Sequence, residues 1–156
     1  MRIARLLMTA LFALTVHAAD FSSVWPIDVE RPWIGADYWA NPLQDWRVSE
    51  GRLECIIPGG NRNVNLLTYD LGAESGELKM SVRLGRIRPS DGKLSAGWVG
   101  YRIGIRGVVD DYRYAVLRGR GLDAGVTTDG RLFIGEYSSA ARPAVKSFED
   151  VELRLD

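Results

Sequence analysis

Three asparagines at alternate positions, Asn61, Asn63 and Asn65, follow the turn-forming run Pro58, Gly59 and Gly60. In an extended chain that spacing puts three amides on one face and Arg62, Val64 and Leu66 on the other. Amides in a row offer donors and acceptors to sugar hydroxyls or a cation. They also stabilise irregular strand starts, and that structural reading takes precedence. Arg102 and Arg106 share a face of a second alternating stretch with Gly104 between them, a shallow basic floor. An anionic ligand could lie there, because guanidinium groups fork onto carboxylates and phosphates. The plainer reading again takes precedence: acidic neighbouring strands neutralise the floor through surface pairs worth little each. Trp33, Tyr38 and Trp39 complete the set of ligand-binding candidates as rings with no assigned place in a core.

Catalytic chemistry has little to work with. The one histidine, His17, falls in an N-terminal stretch that reads as a leader, so the remaining chain holds none. Histidine general bases, cysteine–histidine pairs and histidine-dependent zinc sites are thereby excluded, and no catalytic or metal-ligating residue is assigned. Sandwich glycosidases set two or three carboxylates on one strand face, and Glu149, Asp150 and Glu152 come nearest but mix faces. Asp110 and Asp111 could contribute to a calcium site, which wants six to eight oxygens, but read better as solvated turn carboxylates. The loop Arg118 to Gly121 lacks the lysine and following helix of a phosphate cradle and reads as a bend between strands. Cys55, the single cysteine, alternates with Leu53 and Ile57 and reads as a small core residue.

The leader spans residues 1–18. Arg2 and Arg5 precede an apolar run from Leu6 to Val16, and Val16 and Ala18 supply small residues at the two positions a signal peptidase reads. The run is too short to span a bilayer, so the pattern predicts a secreted or periplasmic protein with no membrane partner after cleavage. Removing it leaves residues 19–156 as one domain, with 18 basic and 20 acidic side chains. That balance gives no reason to expect nucleic acid as a partner. Charge is nevertheless segregated: residues 82–121 hold nine basic and three acidic side chains, while the flanking segments are net acidic.

The elements that must position these groups read as strands. Trp46 and Val48 alternate into Ser49, Glu50 and Gly51, and Leu53, Cys55 and Ile57 alternate out again, a hairpin with Glu-Gly at its corner. Trp46 therefore belongs to the core. Tyr38 and Trp39 are consecutive and face opposite ways if extended, and Asn41-Pro42 breaks any regular element. Leu78 to Leu84, Val99 to Arg106, Tyr112 to Leu117, Asp123 to Val126, Leu132 to Gly135 and Val151 to Leu155 are further strands. Turns fall at Pro58 to Gly60, Ser75 and Gly76, Ser90 to Gly92, and Asp129 and Gly130. No window carries a helical period. About eight short strands with glycine turns predict an all-β, antiparallel two-sheet β-sandwich. The pattern at Val151 to Asp156 stops in mid-alternation, as expected of a sandwich cut short at its C-terminus, with an unpaired sheet edge.

The stretch from Trp46 to Glu54 resembles the opening hairpin of concanavalin A-like, laminin G-type β-sandwich domains, and Gly97 to Gly100 and Asp123 to Leu132 fit later strands of the same jelly roll. More narrowly, "YWANPLQDWRV", "GGNRNVNLLT", "DYRYAV" and "GLDAGVTTDGRLFIGE" look like the N-terminal module of exported bacterial alkaline phosphatase D-like proteins. The resemblance implies a module that precedes a metallophosphoesterase domain carrying Asp, Asn and His metal ligands. No such ligand set is present here, so no catalytic residue carries over and no cofactor is implied for this chain. The family's usual twin-arginine signal is absent as well. The expectation is a non-catalytic module that binds carbohydrate or an anionic ligand, or positions a catalytic domain of the same parent protein. The alternatives are a sandwich-type glycoside hydrolase and a purely structural packing module.

Overall fold

The hairpin read from Trp46 onward forms in the computed structural model, which describes residues 20–72, 75–87, 96–139 and 143–156. The leader over residues 1–18 and the turn at Ser90 to Gly92 lie outside the described residues. In chain order, β1 is Tyr38–Asn41, β2 Trp46–Ser49, β3 Arg52–Cys55, β4 Asn63–Leu66 and β5 Met80–Leu84. β6, Trp98–Arg106, leads to helix α1, Tyr112–Arg118, and then to β7, Arg120–Thr127. β8 is Leu132–Ile134, β9 Tyr137–Ser138 and β10 Val151–Leu155. Every pairing is antiparallel: β1 with β4, β2 with β3, β10 with β5, and β6-β7-β8-β9 as a four-stranded sheet. Among the described residues the fold is all-β apart from α1 and one 3-10 turn at Leu43–Asp45.

The β2–β3 hairpin turns on Glu50 and Gly51, both with positive φ (50° and 73°). This is the two-residue geometry whose twist matches that of the flanking strands. Its register pairs Trp46 with Cys55 and Val48 with Leu53 on one face, and Arg47 with Glu54 and Ser49 with Arg52 on the other. The first face builds the core: Ile34, Ala40 and Val48 are buried, with Trp25, Tyr38, Trp46, Leu53 and Val64 packed around them. Cys55 sits half-buried on that same face, as expected of a small core residue, and burial pushes its thiol up. Before β1, Arg31 exchanges both backbone hydrogen bonds with Val48 (3.0 and 2.8 Å), so β2 is paired on both edges at its buried centre.

The second face holds a carboxylate. Glu54 is only 2% exposed; the Arg47 Nε donates to Oε2 and the Arg52 Nε to Oε1, each at 2.8 Å. Glu30 and Glu50 flank the two arginines as outer partners. Burial by itself would raise the Glu54 carboxyl, but the hydrogen bonds and charges of Arg47 and Arg52 outweigh it and hold it below the ordinary range. A depressed folded value gives stability that is complete above the unfolded glutamate value of about 4.3 and is lost as pH falls through the folded value. Glu54→Gln, which keeps the shape and removes the charge, is expected to cost about 1–3 kcal/mol at pH 7. It is also expected to flatten the acid limb of the stability curve below about pH 4.3. Urea denaturation at pH 7, 5 and 3 on both proteins measures the two effects.

One expected strand is a helix. Tyr112 to Leu117 alternates like a strand, yet Asp111 caps α1, its side chain accepting from the Arg113 N–H at 2.8 Å. Helical spacing puts Tyr112, Ala115 and Val116 on one side, and Val116 is buried there. The Gly119 N–H closes the helix on the Ala115 carbonyl at 2.7 Å before β7 begins. The loop Arg118 to Gly121 therefore joins a helix to a strand and is not a bend between two strands. The local cap outweighs β propensity, which is a weak prior in a segment this short.

In the four-stranded sheet, the Tyr101 hydroxyl donates to the Leu153 carbonyl at 2.8 Å, tying the sheet to the β10–β5 pair. Between them lies an open cavity of about 380 Å3 lined in part by Tyr101, Leu132, Ile134, Tyr137, Leu153 and Leu155.

Candidate functional site

The β1–β4 ribbon carries the amides. Its register sets Trp39 opposite Asn65 and Asn41 opposite Asn63, so all four side chains share one face. The other face carries Tyr38, Ala40, Val64 and Leu66, and Ala40 is part of the core. Ahead of β4, Asn61 takes a left-handed conformation (φ 58°), one that asparagine tolerates better than most residues. The three alternating amides bond in series: Asn65 Nδ2 donates to Asn63 Oδ1 at 2.8 Å, and Asn63 Nδ2 donates to Asn61 Oδ1 at 3.2 Å. Asn65 Nδ2 also reaches the Trp39 carbonyl at 3.4 Å. The row is thus polarised, and among the described residues a donor is left open at Asn61 and an acceptor at Asn65. The structural role read from the spacing is served by the three side chains bonding to one another.

Beside the row, the Trp39 ring is 38% exposed and meets the Tyr112 ring edge to face at a centroid separation of 5.8 Å. Tyr112 is itself half-exposed, and the Arg113 guanidinium lies 5.9 Å from its centroid. Arg113 is in turn held by Asp111. The outcome is an aromatic pair next to a line of amides, with the Arg113 cation beside the Tyr112 ring. Such a surface presents flat apolar area for the C–H face of a sugar ring and directional groups for its hydroxyls.

The remaining candidates do not join this face. Trp33 has its own partner, the Arg31 guanidinium stacked 4.7 Å from the ring centroid. Tyr38 is on the core side, packed between Trp25 and Phe21. Arg102 is neutralised as the plainer reading expected: it pairs across the ladder with Asp123, Nε to Oδ1 at 2.6 Å and a second nitrogen to Oδ2 at 2.9 Å. Arg106 does not share its face. The register slips between Ile103 and Arg106, around Gly104 with φ 63°, so Arg106 stands opposite Arg120. Asp123 and Arg120 are three residues apart on β7, an odd separation, which sets the two arginines on opposite faces of the sheet.

No family model, curated protein or solved structure matches this chain. Of the carboxylates considered for glycosidase work, Asp150 is paired with Arg83 and Glu152 with Arg154, while Glu149 is exposed; Asp111, half of the calcium candidate, is held by Arg113. The Arg154 hydrogen bond holds Glu152 below the ordinary range, and the Arg113 side chain does the same for Asp111. A glycosidic general acid needs the opposite shift. Asp110, the other half of the calcium candidate, is exposed beside the Asp111 cap.

Two members of the face, Asn41 and Tyr112, do not stand out in the sequence as site residues. Asn41 could have been found from its alternation with Trp39 once β1 was recognised as a strand. The signal for Tyr112 was Asp111 as a helix cap, with Tyr112 and Val116 four residues apart. The edge-to-face contact is expected to couple Trp39 and Tyr112 by about 0.5–1 kcal/mol. A double-mutant cycle of Trp39→Ala and Tyr112→Ala in urea measures it, and strict additivity would mean that α1 does not dock on the ribbon.

Proposed function

We propose that this chain is an exported, non-catalytic β-sandwich module that binds carbohydrate on the β1–β4 face. The observation that carries the reading is the conjunction of a half-exposed Trp39–Tyr112 pair with the polarised row Asn61, Asn63 and Asn65. Stacking on an aromatic ring together with amide hydrogen bonding suits a neutral sugar: the ring face is apolar and each hydroxyl is both donor and acceptor. The all-β antiparallel framework supports the finer expectation of a concanavalin A-like sandwich. The phrases that resemble alkaline phosphatase D-like proteins support a role beside a phosphoesterase domain in the parent protein.

The cavity flanked by Tyr101, Leu132, Ile134, Tyr137 and Leu155 favours a second reading, in which the module packs on the catalytic domain of that parent. Tyr137 is 82% exposed and Ile134 and Leu132 are partly exposed, an apolar stripe that a domain contact would cover. The two readings use different residues. A glycan array with neutral and acidic oligosaccharides, followed by calorimetry on the best binder, separates them. Trp39→Ala is expected to weaken binding about tenfold, equivalent to about 1.4 kcal/mol, while Tyr137→Ala leaves it unchanged. Absence of binding across the array, or binding indifferent to Trp39, would sink the carbohydrate reading and leave the packing role.

A further inference from the structure

The bulge in β6 has a chemical consequence. Before it, the β6–β7 ladder is regular from Trp98 opposite Thr127 to Ile103 opposite Leu122, and each charged group there has an opposite partner, Arg102 with Asp123. After it, Arg106 is set directly opposite Arg120. Cross-strand neighbours have Cβ atoms about 4.5–5.5 Å apart, and like charges in that position disfavour the pairing. Both arginines are exposed, and among the described residues neither has an ion pair or a side-chain hydrogen bond. Two acids close in sequence are engaged elsewhere: Asp111 is held by Arg113, and Asp123 lies on the other face with Arg102.

A straight β6 would have left Arg106 on the Arg102 side, away from Arg120. The extra residue at Gly104 breaks the ladder, re-aims Arg106 and creates a repulsive pair. Bulges that re-aim a side chain in this way are concentrated beside functional sites. We propose that Arg106 and Arg120 form a two-pronged clamp for an oxyanion: a carboxylate, sulfate or phosphate group carried by the ligand. Each guanidinium presents a planar fork of donors, so one anion with several oxygens takes a pair of hydrogen bonds from each arm and offsets the repulsion between them. The clamp stands on residues separate from Trp39 and the asparagine row and holds whether or not that face binds neutral sugar.

The test is thermal denaturation of the chain with added galacturonate oligosaccharide, sulfated oligosaccharide or inorganic phosphate, each compared with sodium chloride at equal ionic strength. At least one anion is expected to raise the melting temperature of the wild type by a few degrees beyond chloride. Which of the three does so identifies the source of the anion, sugar-borne or free. Arg106→Gln and Arg120→Gln are each expected to abolish that increment, and to be no less stable than the wild type in chloride alone, because the repulsion is gone. An increment of equal size in the wild type and both glutamine variants reports a general salt effect and overturns the clamp, as does the lack of any increment. Neutral-sugar binding that survives in Arg106→Gln and is lost in Trp39→Ala keeps the two sites distinct.

Discussion

Glu54 is a carboxylate nearly sealed from water, and the N-terminal half of the fold is organised around keeping it charged there. Burying an unpaired carboxylate costs several kcal/mol, so a folded chain must bring both Arg47 and Arg52 to it or protonate it. Those arginines come from the two strands of one hairpin, which fixes the register: a one-residue slip of β3 would send Glu54 to the apolar face beside Val48. The register in turn holds Val48 against Ile34 and Ala40, and Ala40 fixes which way β1 faces. The exposure of Trp39 and Asn41 thus follows from an ion cluster on another ribbon. Asp45, buried and paired with Arg62 at 2.8 Å, repeats the device where the chain leaves the 3-10 turn, tying it to the approach to β4. Where few side chains among the described residues are fully buried, specific polar contacts supply the uniqueness that apolar volume alone does not.

Alternation is the rule that made the fold legible, and each of its failures has a local physical cause. The hairpin with Glu50 and Gly51 at its corner, the strands β5, β6, β7, β8 and β10, and the break at Asn41-Pro42 all follow from period-two patterning and turn chemistry. Tyr112 to Arg118 fails because tyrosines and a valine at alternate positions look extended, while the decisive group, Asp111, precedes the segment and acts through its carboxylate on one backbone N–H. The basic floor fails for a different reason. Arg102 and Arg106 do alternate in the sequence, but a glycine able to take a positive φ between them is also what a bulge needs, and only the pairing partner reveals the slip. β9, two residues long, carries no periodic signal at all.

The site was legible in the same uneven way. A row of amides could be read because three residues of one type at spacing two share a face in any strand. Their head-to-tail bonding could not, since amide orientation depends on what lies around the row. Trp39 and Tyr38 were correctly set on opposite sides of the chain by adjacency alone, but which of them met the core depended on Ala40, a residue with little signal of its own. Tyr112 arrives at Trp39 from more than seventy positions away, and contacts of that range are set by packing, not by pattern.

The two surfaces differ in how the fold supports them. The asparagine row is bonded head to tail, so it holds its shape without a ligand, and a sugar would add bonds at its open ends and at Asn41. Binding there should be modest and tolerant of sugar identity, because the ring face of Trp39 discriminates shape weakly. The arginine pair is the reverse case. It is unfavourable by itself and gains only when an anion arrives, so its contribution to affinity grows with the charge of the ligand and shrinks with salt. A polymer with both neutral rings and acidic groups would use both surfaces at once, and the linkage would multiply two weak affinities, provided its length matched their separation. The helix joining them, α1, has its first residue against Trp39 and ends at Arg118, with Gly119 between it and the start of β7 at Arg120. Its seven residues span about 10 Å, a distance of the order of two sugar units. That short rigid spacer, absent from an all-strand reading of the sequence, is what would set the register between the neutral and the charged parts of such a ligand.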